Sequence, residues 1–124
     1  MEGPVTHTVA ELVFAEAVAT TDMTLIPNAS TLASEPNDAA IYILKQNVDA
    51  QTDGTDFEVF ASIDNGTTFT EAATYTTVGA FGANDTLVRC DVDVSAQTGT
   101  SFKWKITTTN TKGVRVKQVT AFCS

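Results

Sequence analysis

Six carboxylates lie close enough in sequence to act together. Asp49, Asp53, Asp56 and Glu58 fall in "DAQTDGTDFE", and Asp91 and Asp93 alternate along "RCDVDV". Paired carboxylates serve glycoside hydrolysis when they flank a cleft at a defined separation, and carboxylates around a glycine can hold calcium through hard oxygen ligands. The first chemistry needs a cleft, and a short β-rich chain with few exposed aromatics offers none. The second departs from the EF-hand loop: Asp49, Asp53 and Asp56 around Gly54 lack its alternate-residue spacing and its closing bidentate glutamate. We read the first group as a solvated loop and Asp91 and Asp93 as a charged strand face, with no metal and no cofactor. His7 is the single histidine and lies near a terminus, so no histidine-based nucleophile activation can be assembled. No catalytic residue and no enzyme is expected.

The stretch "SIDNGTTF" has Ser62, Asp64, Gly66, Thr68 and Phe69 at the spacing Ser/Thr-x-Asp-x-Gly-x-Thr-aromatic, an Asp box, and it occurs once. Such boxes recur in sialidases. That chemistry would also need an arginine cluster and a Tyr/Glu pair on a much longer scaffold, whereas the arginines here are Arg89 and Arg115. The spacing has a simpler physical basis. Asp64 can accept hydrogen bonds from the backbone N–H groups two and three residues on, Asn65 and Gly66 tolerate positive φ, and Ser62 and Thr68 face each other across the closing strands. Ser62, Asp64, Gly66 and Thr68 are therefore a structural turn.

These residues must be carried by strands. The chain has 124 residues, the length of one domain able to bury about two-thirds of its unfolded surface. Turn-forming clusters recur about every ten residues, which predicts strands at 9–15, 22–27, 39–48, 56–63, 67–76, 86–94, 101–109 and 113–123. The expected fold is all-β, an antiparallel, jelly-roll-like β-sandwich of about eight strands over 1–124. Residues 1–20 form an N-terminal segment, either an arm or a contact strand. Within it, Thr8 and Glu11 have capping-box spacing and alanines follow, so local propensity favours a helix over 8–17; the seven remaining strands favour a strand.

Alternation places Val88, Cys90, Val92 and Val94 inward, and likewise Phe102, Trp104 and Ile106, with Arg89, Asp91, Asp93, Lys103 and Lys105 outward. Trp104 is thus a core residue and not a sugar platform. The matching phase suggests that 86–94 and 101–109 form a hairpin through "SAQTGTS", with Asp93 opposite Lys103 and Asp91 opposite Lys105. Cys90 and Cys123 are either buried thiols or one pair.

Strand 39–48 is apolar on both faces, with Ile41 and Ile43 on one and Tyr42, Leu44 and Val48 on the other. Phe60 likewise sits opposite Phe57 and Val59. Either the loop 29–38 covers this second face, or Tyr42, Leu44 and Phe60 form a subunit interface. The net charge of −8 and a pI near 4.3 argue against nucleic acid or an anionic membrane as partner. No apolar run is long enough to span a bilayer, and the N-terminus lacks the basic-then-apolar layout of a signal peptide.

Three segments, "MTLIPNASTLASEPNDAAIYIL", "TDFEVFASIDNGTTFTEA" and "LVRCDVDVSAQTGTSFKWKITTTNTKGVRVKQVTAFCS", together resemble a β-rich module of tailed-bacteriophage virion proteins, especially tail-fibre and uncharacterised virion proteins of aquatic phages. The resemblance covers about residues 20 to 124. This chain has Ile63-Asp64-Asn65-Gly66 where that module more often has Arg-Asp-Gly-Gly, lacks its turn proline near Gln97, and has Cys123 in place of an aromatic. The resemblance implies no catalytic residue. It implies a virion building block assembled in the host cytoplasm, a capsid decoration or cement protein or a tail fibre or spike module, forming a homotrimer and docking on other virion proteins. A carbohydrate-binding module for a host-surface glycan is the alternative, marked by an exposed aromatic row.

Overall fold

The computed structural model describes the backbone of residues 9–19 and residues 22–124 in full; His7 and Thr8 lie outside the described residues. The strands are β1 (Val9–Ala19), β2 (Met23–Leu25), β3 (Ser30–Thr31), β4 (Asp38–Asn47), β5 (Phe57–Ser62), β6 (Thr70–Glu71), β7 (Thr74–Phe81), β8 (Asp85–Asp93), β9 (Ser101–Thr108) and β10 (Val114–Cys123). The fold is all-β, and among the described residues there is no helix. Two antiparallel sheets face each other, one in the order β1-β10-β4-β8-β7 and the other β2-β9-β5-β6, with β3 also on β9. The strand alternative for the N-terminal segment holds: β1 pairs with β10 along the edge of the first sheet. Partnering on both sides of a register shift between Val13 and Ala17 overrides the helix propensity of its alanines.

The core lies between the sheets. Ile41, Ile43, Val88, Cys90, Val92, Val116, Val119 and Ala121 close on it from one side, and Phe57, Val59, Ala61, Phe102, Trp104 and Ile106 from the other. Cys90 and Cys123 are free, buried thiols. Burial raises the Cys90 thiol far above its ordinary pKa and pushes Cys123 up to about 11, so neither is a thiolate at neutral pH.

The expected hairpin of 86–94 with 101–109 does not form. β8 pairs with β4 and β7, whereas β9 pairs with β5, β2 and β3, so the connection 94–100 crosses between sheets. Asp93 lies opposite Asp38, Lys103 opposite Ser62 and Lys105 opposite Phe60. The crossing is held by Gln97, a buried side chain that accepts from the Ile63 N–H at 2.8 Å and donates to the Ala61 carbonyl and Thr70 Oγ1. Beside it Gly99 has φ +147°, and a Cβ there would collide with the Ile63 carbonyl oxygen.

The expected strand 67–76 also divides. Ala72 donates its N–H to the Val59 carbonyl in one sheet, and the next residue, Ala73, donates to Asp91 in the other. The chain turns the corner in a single step between β6 and β7. The segment 29–38 does not cover the outer face of β4: Ser30 and Thr31 pair with β9, and Leu32 enters the core with its N–H on the Thr100 carbonyl.

Candidate functional site

The outer face of β4 is the most distinctive surface of the molecule. Tyr42 and Leu44 point away from the core, opposite Thr120 and Gln118 of β10 and Arg89 and Leu87 of β8. Two bulges complete this face. In β10 the register shifts between Val116 and Gln118, so inward positions change from Val114 and Val116 to Val119, Ala121 and Cys123, and Phe122 is turned outward. In β7 the shift between Thr77 and Gly79 makes Val78 the extra residue and brings Phe81 opposite Asp85, on the same outer side as Leu87. Tyr42, Leu44, Phe81, Leu87, Gln118 and Thr120 line a depression of about 310 Å³. Phe122 meets Tyr42 edge to face at 5.7 Å between ring centroids and is 38% exposed; Phe81 is 51% exposed.

Two charge pairs lie on this face, while Asp38 and Asp93 stand opposite each other at its end. Arg89 Nε lies 2.9 Å from Asp91 Oδ1, its Nη1 donates to the Tyr42 hydroxyl at 3.2 Å, and its guanidinium carbon lies 5.7 Å from the Tyr42 ring centroid. Lys117, the extra residue of the β10 bulge, donates to both oxygens of Asp85 at 2.9 and 3.1 Å. An apolar centre is therefore flanked by two locally neutral ion pairs. That is the arrangement of a protein contact, with an apolar middle and a polar rim.

Phe60 lies elsewhere. It stands on the outer face of the second sheet, opposite Glu71 and Lys105, and the Lys105 ammonium sits 4.4 Å from its ring centroid and 4.6 Å from that of Phe69. The structure thus brings Tyr42 and Leu44 together and places Phe60 on the far side of the sandwich. Trp104 is buried in the core. Leu87 was legible as the outward neighbour of Val88, but Phe81 and Phe122 were not, because their phase depends on the bulges in β7 and β10.

The Asp-box residues form a self-bonded turn. Ser62 Oγ donates to Asp64 Oδ1 at 2.7 Å and accepts from the Gly66 N–H at 2.9 Å; Asp64 Oδ1 also accepts from the Thr68 N–H at 2.8 Å. Asn65 and Gly66 have φ of 61° and 86°. Hydrogen bonds from Thr68 and Ser62 hold the Asp64 carboxyl below its ordinary pKa. The turn also docks on the start of β9, since Asn65 donates to the Ser101 carbonyl and Ser101 to that of Ile63. Ser62 and Asp64 spend their polar atoms on this turn, and Ser62 is fully buried.

The carboxylates of 49–56 likewise serve separate partners. Asp49 accepts from the Gly113 N–H, and Asp56 from the Thr52 N–H and the Asn110 amide, bonds that lower the Asp56 pKa. Asp53 accepts from Lys45 at 3.0 Å. Lys45 occupies a core-facing position of β4 at 1% exposure, with its ammonium also on Asn47 Oδ1 at 2.8 Å and 4.4 Å from the Phe57 ring centroid. Among the described residues, no group of three or more His, Cys, Asp or Glu is placed to hold a metal. The sequence matches no protein-family model and no curated protein.

Proposed function

We propose that this chain is a structural module of a tailed-bacteriophage virion, a capsid decoration or cement protein or a tail fibre or spike module, that works by associating with copies of itself and docking on other virion proteins. The observation that carries this reading is the apolar strip Phe122, Tyr42, Leu44, Leu87 and Phe81 between the Arg89–Asp91 and Lys117–Asp85 pairs. On a chain of net charge −8 the uncharged centre of this surface adds nothing to the long-range repulsion between two acidic copies. The strand order supports it by analogy. We read β1-β10-β4-β8 facing β2-β9-β5-β6 as two interleaved Greek keys of jelly-roll type with β7 added at one edge, and viral capsid domains are among the users of that architecture.

The test is a solution mass of the chain followed by its location in a virion reconstruction. The expected result is more than one copy in solution and density for the chain on the capsid or tail. A single chain at all concentrations, with no place in the particle, would overturn the proposal. The rings of Tyr42, Phe81 and Phe122 on one face also favour a second reading, the binding of a host-surface glycan. Saturable glycan binding lost on Tyr42→Ala would select it.

A further inference from the structure

Sheet edges differ sharply in this molecule. The second sheet ends in strands of two or three residues, β6 on one side and β2 and β3 on the other. Very short edge strands are one way proteins avoid pairing with other chains. The first sheet ends instead in two long strands, β1, whose sequence carries Glu11 and Glu16, and β7, eight residues long, uncharged and, among the described residues, paired only with β8.

Apart from a bulge at Val78, β7 also lacks the other common protections. From Ala72 to Asn84 there is no charged residue and no proline, and on a chain carrying 22 charged side chains that is its longest uncharged run. An outward lysine or a proline is the usual guard on such an edge. Its regular part, Thr74 to Thr77, has β-branched threonines at three of four positions, and Val78 is 52% exposed. The one irregularity, the bulge at Val78, turns Phe81 toward the strip described above and leaves Thr74–Thr77 in regular register with β8.

We propose that β7 is a strand-addition edge that takes β7 of a second copy, antiparallel, so that the first sheets of two copies join into one across a twofold axis. The inference rests on the reading that this chain self-associates, and it assigns the contact. A second copy is the favoured occupant for two reasons. An antiparallel pair of identical strands sets threonine, aromatic and small apolar residues against one another with no charge in any register. The chain's acidity, which opposes self-contact elsewhere, is absent along this run. Cross-strand Thr–Thr pairs and backbone hydrogen bonds supply the attraction, and Phe81 makes the edge continuous with the apolar strip.

The experiment measures the solution mass of the full chain by sedimentation over a concentration series, for the wild type, Thr76→Lys, Val78→Lys and a control, Val48→Lys, which changes an equally exposed valine away from β7. The expected result is two copies for the wild type and the control and one for the two β7 variants, with unchanged circular dichroism. Wild-type mass in the β7 variants would overturn the edge contact and leave self-association standing. A single chain in the wild type would overturn both. Should a variant fail to fold, wild-type amide exchange gives a second readout: β7 amides gain protection as concentration rises, and protection independent of concentration would overturn the proposal.

Discussion

At the scale of single residues, polar side chains in this molecule are tied to backbone, and titration exposes the ties. Hydrogen bonds lower the carboxyls of Asp56, Asp64 and Asp93 in the folded state. A depressed folded pKa contributes stability that is present above the unfolded value of about 3.9 and is lost as pH falls through the folded one. We expect Asp64→Ala to lower the melting temperature at pH 7 and to flatten its decline below pH 4, as followed by thermal melts across that range. Glu58 has the opposite sign. Desolvation, then the charge of Glu71, raises its pKa, so its ionised form costs stability at pH values above its folded pKa. Glu58→Gln should raise the melting temperature at pH 7, with the gain vanishing once pH falls below the range where unfolded glutamate ionises. A lower melting temperature at pH 7 would show that Lys105, which acts against the shift, dominates instead.

At the scale of elements, periodicity was a good guide to strands and a poor one to their neighbours. The alternation of Val88, Cys90, Val92 and of Phe102, Trp104, Ile106 correctly placed both sets inward. Yet two strands facing each other across a core satisfy inward parity as well as two strands side by side, so phase could not choose between them. The deciding residue was Gln97, whose side-chain bonds into β5 and β6 are invisible to any hydropathy pattern. Lys45 defeats the pattern differently: it holds a core-facing position because Asp53, eight residues on, and Asn47 receive its ammonium. The turn at Ser62–Thr68 was legible as a turn but not in its bonds, since Asp64 takes the Thr68 N–H four residues on, the Gly66 N–H goes to Ser62 Oγ, and Asn65 bonds to Ser101 of β9. Replacing Gln97 by Ala leaves the Ile63 N–H and Ala61 carbonyl without that partner inside the sandwich, at a cost of about 1–3 kcal/mol for each group left unsatisfied. Urea unfolding checks this through a lower midpoint with an unchanged slope. A change in slope would mean that the β8–β9 crossing itself had loosened.

At the scale of the whole molecule, charge decides what the surfaces can do. The acidic loop does not call for a cation, because Asp49, Asp53 and Asp56 each answer a protein donor. A chelator should therefore leave the melting temperature unchanged, and a fall of several degrees would show those carboxylates sharing a metal. The same accounting bears on self-association. Fifteen acidic against seven basic side chains give each copy a net charge of −8, so two copies repel at long range. The apolar strip and the β7 edge add no new charge pairs to offset that repulsion, since Arg89 and Lys117 are already engaged with Asp91 and Asp85 in their own chain. Salt shortens the Debye length from about 30 Å at 0.01 M to about 8 Å at 0.15 M, which removes much of the repulsion and strengthens apolar contact relative to it. The association constant from sedimentation should rise over that range of sodium chloride. A contact built on ion pairs between copies would weaken instead, so a falling constant would move the interface away from the strip and the edge and toward the charged rim.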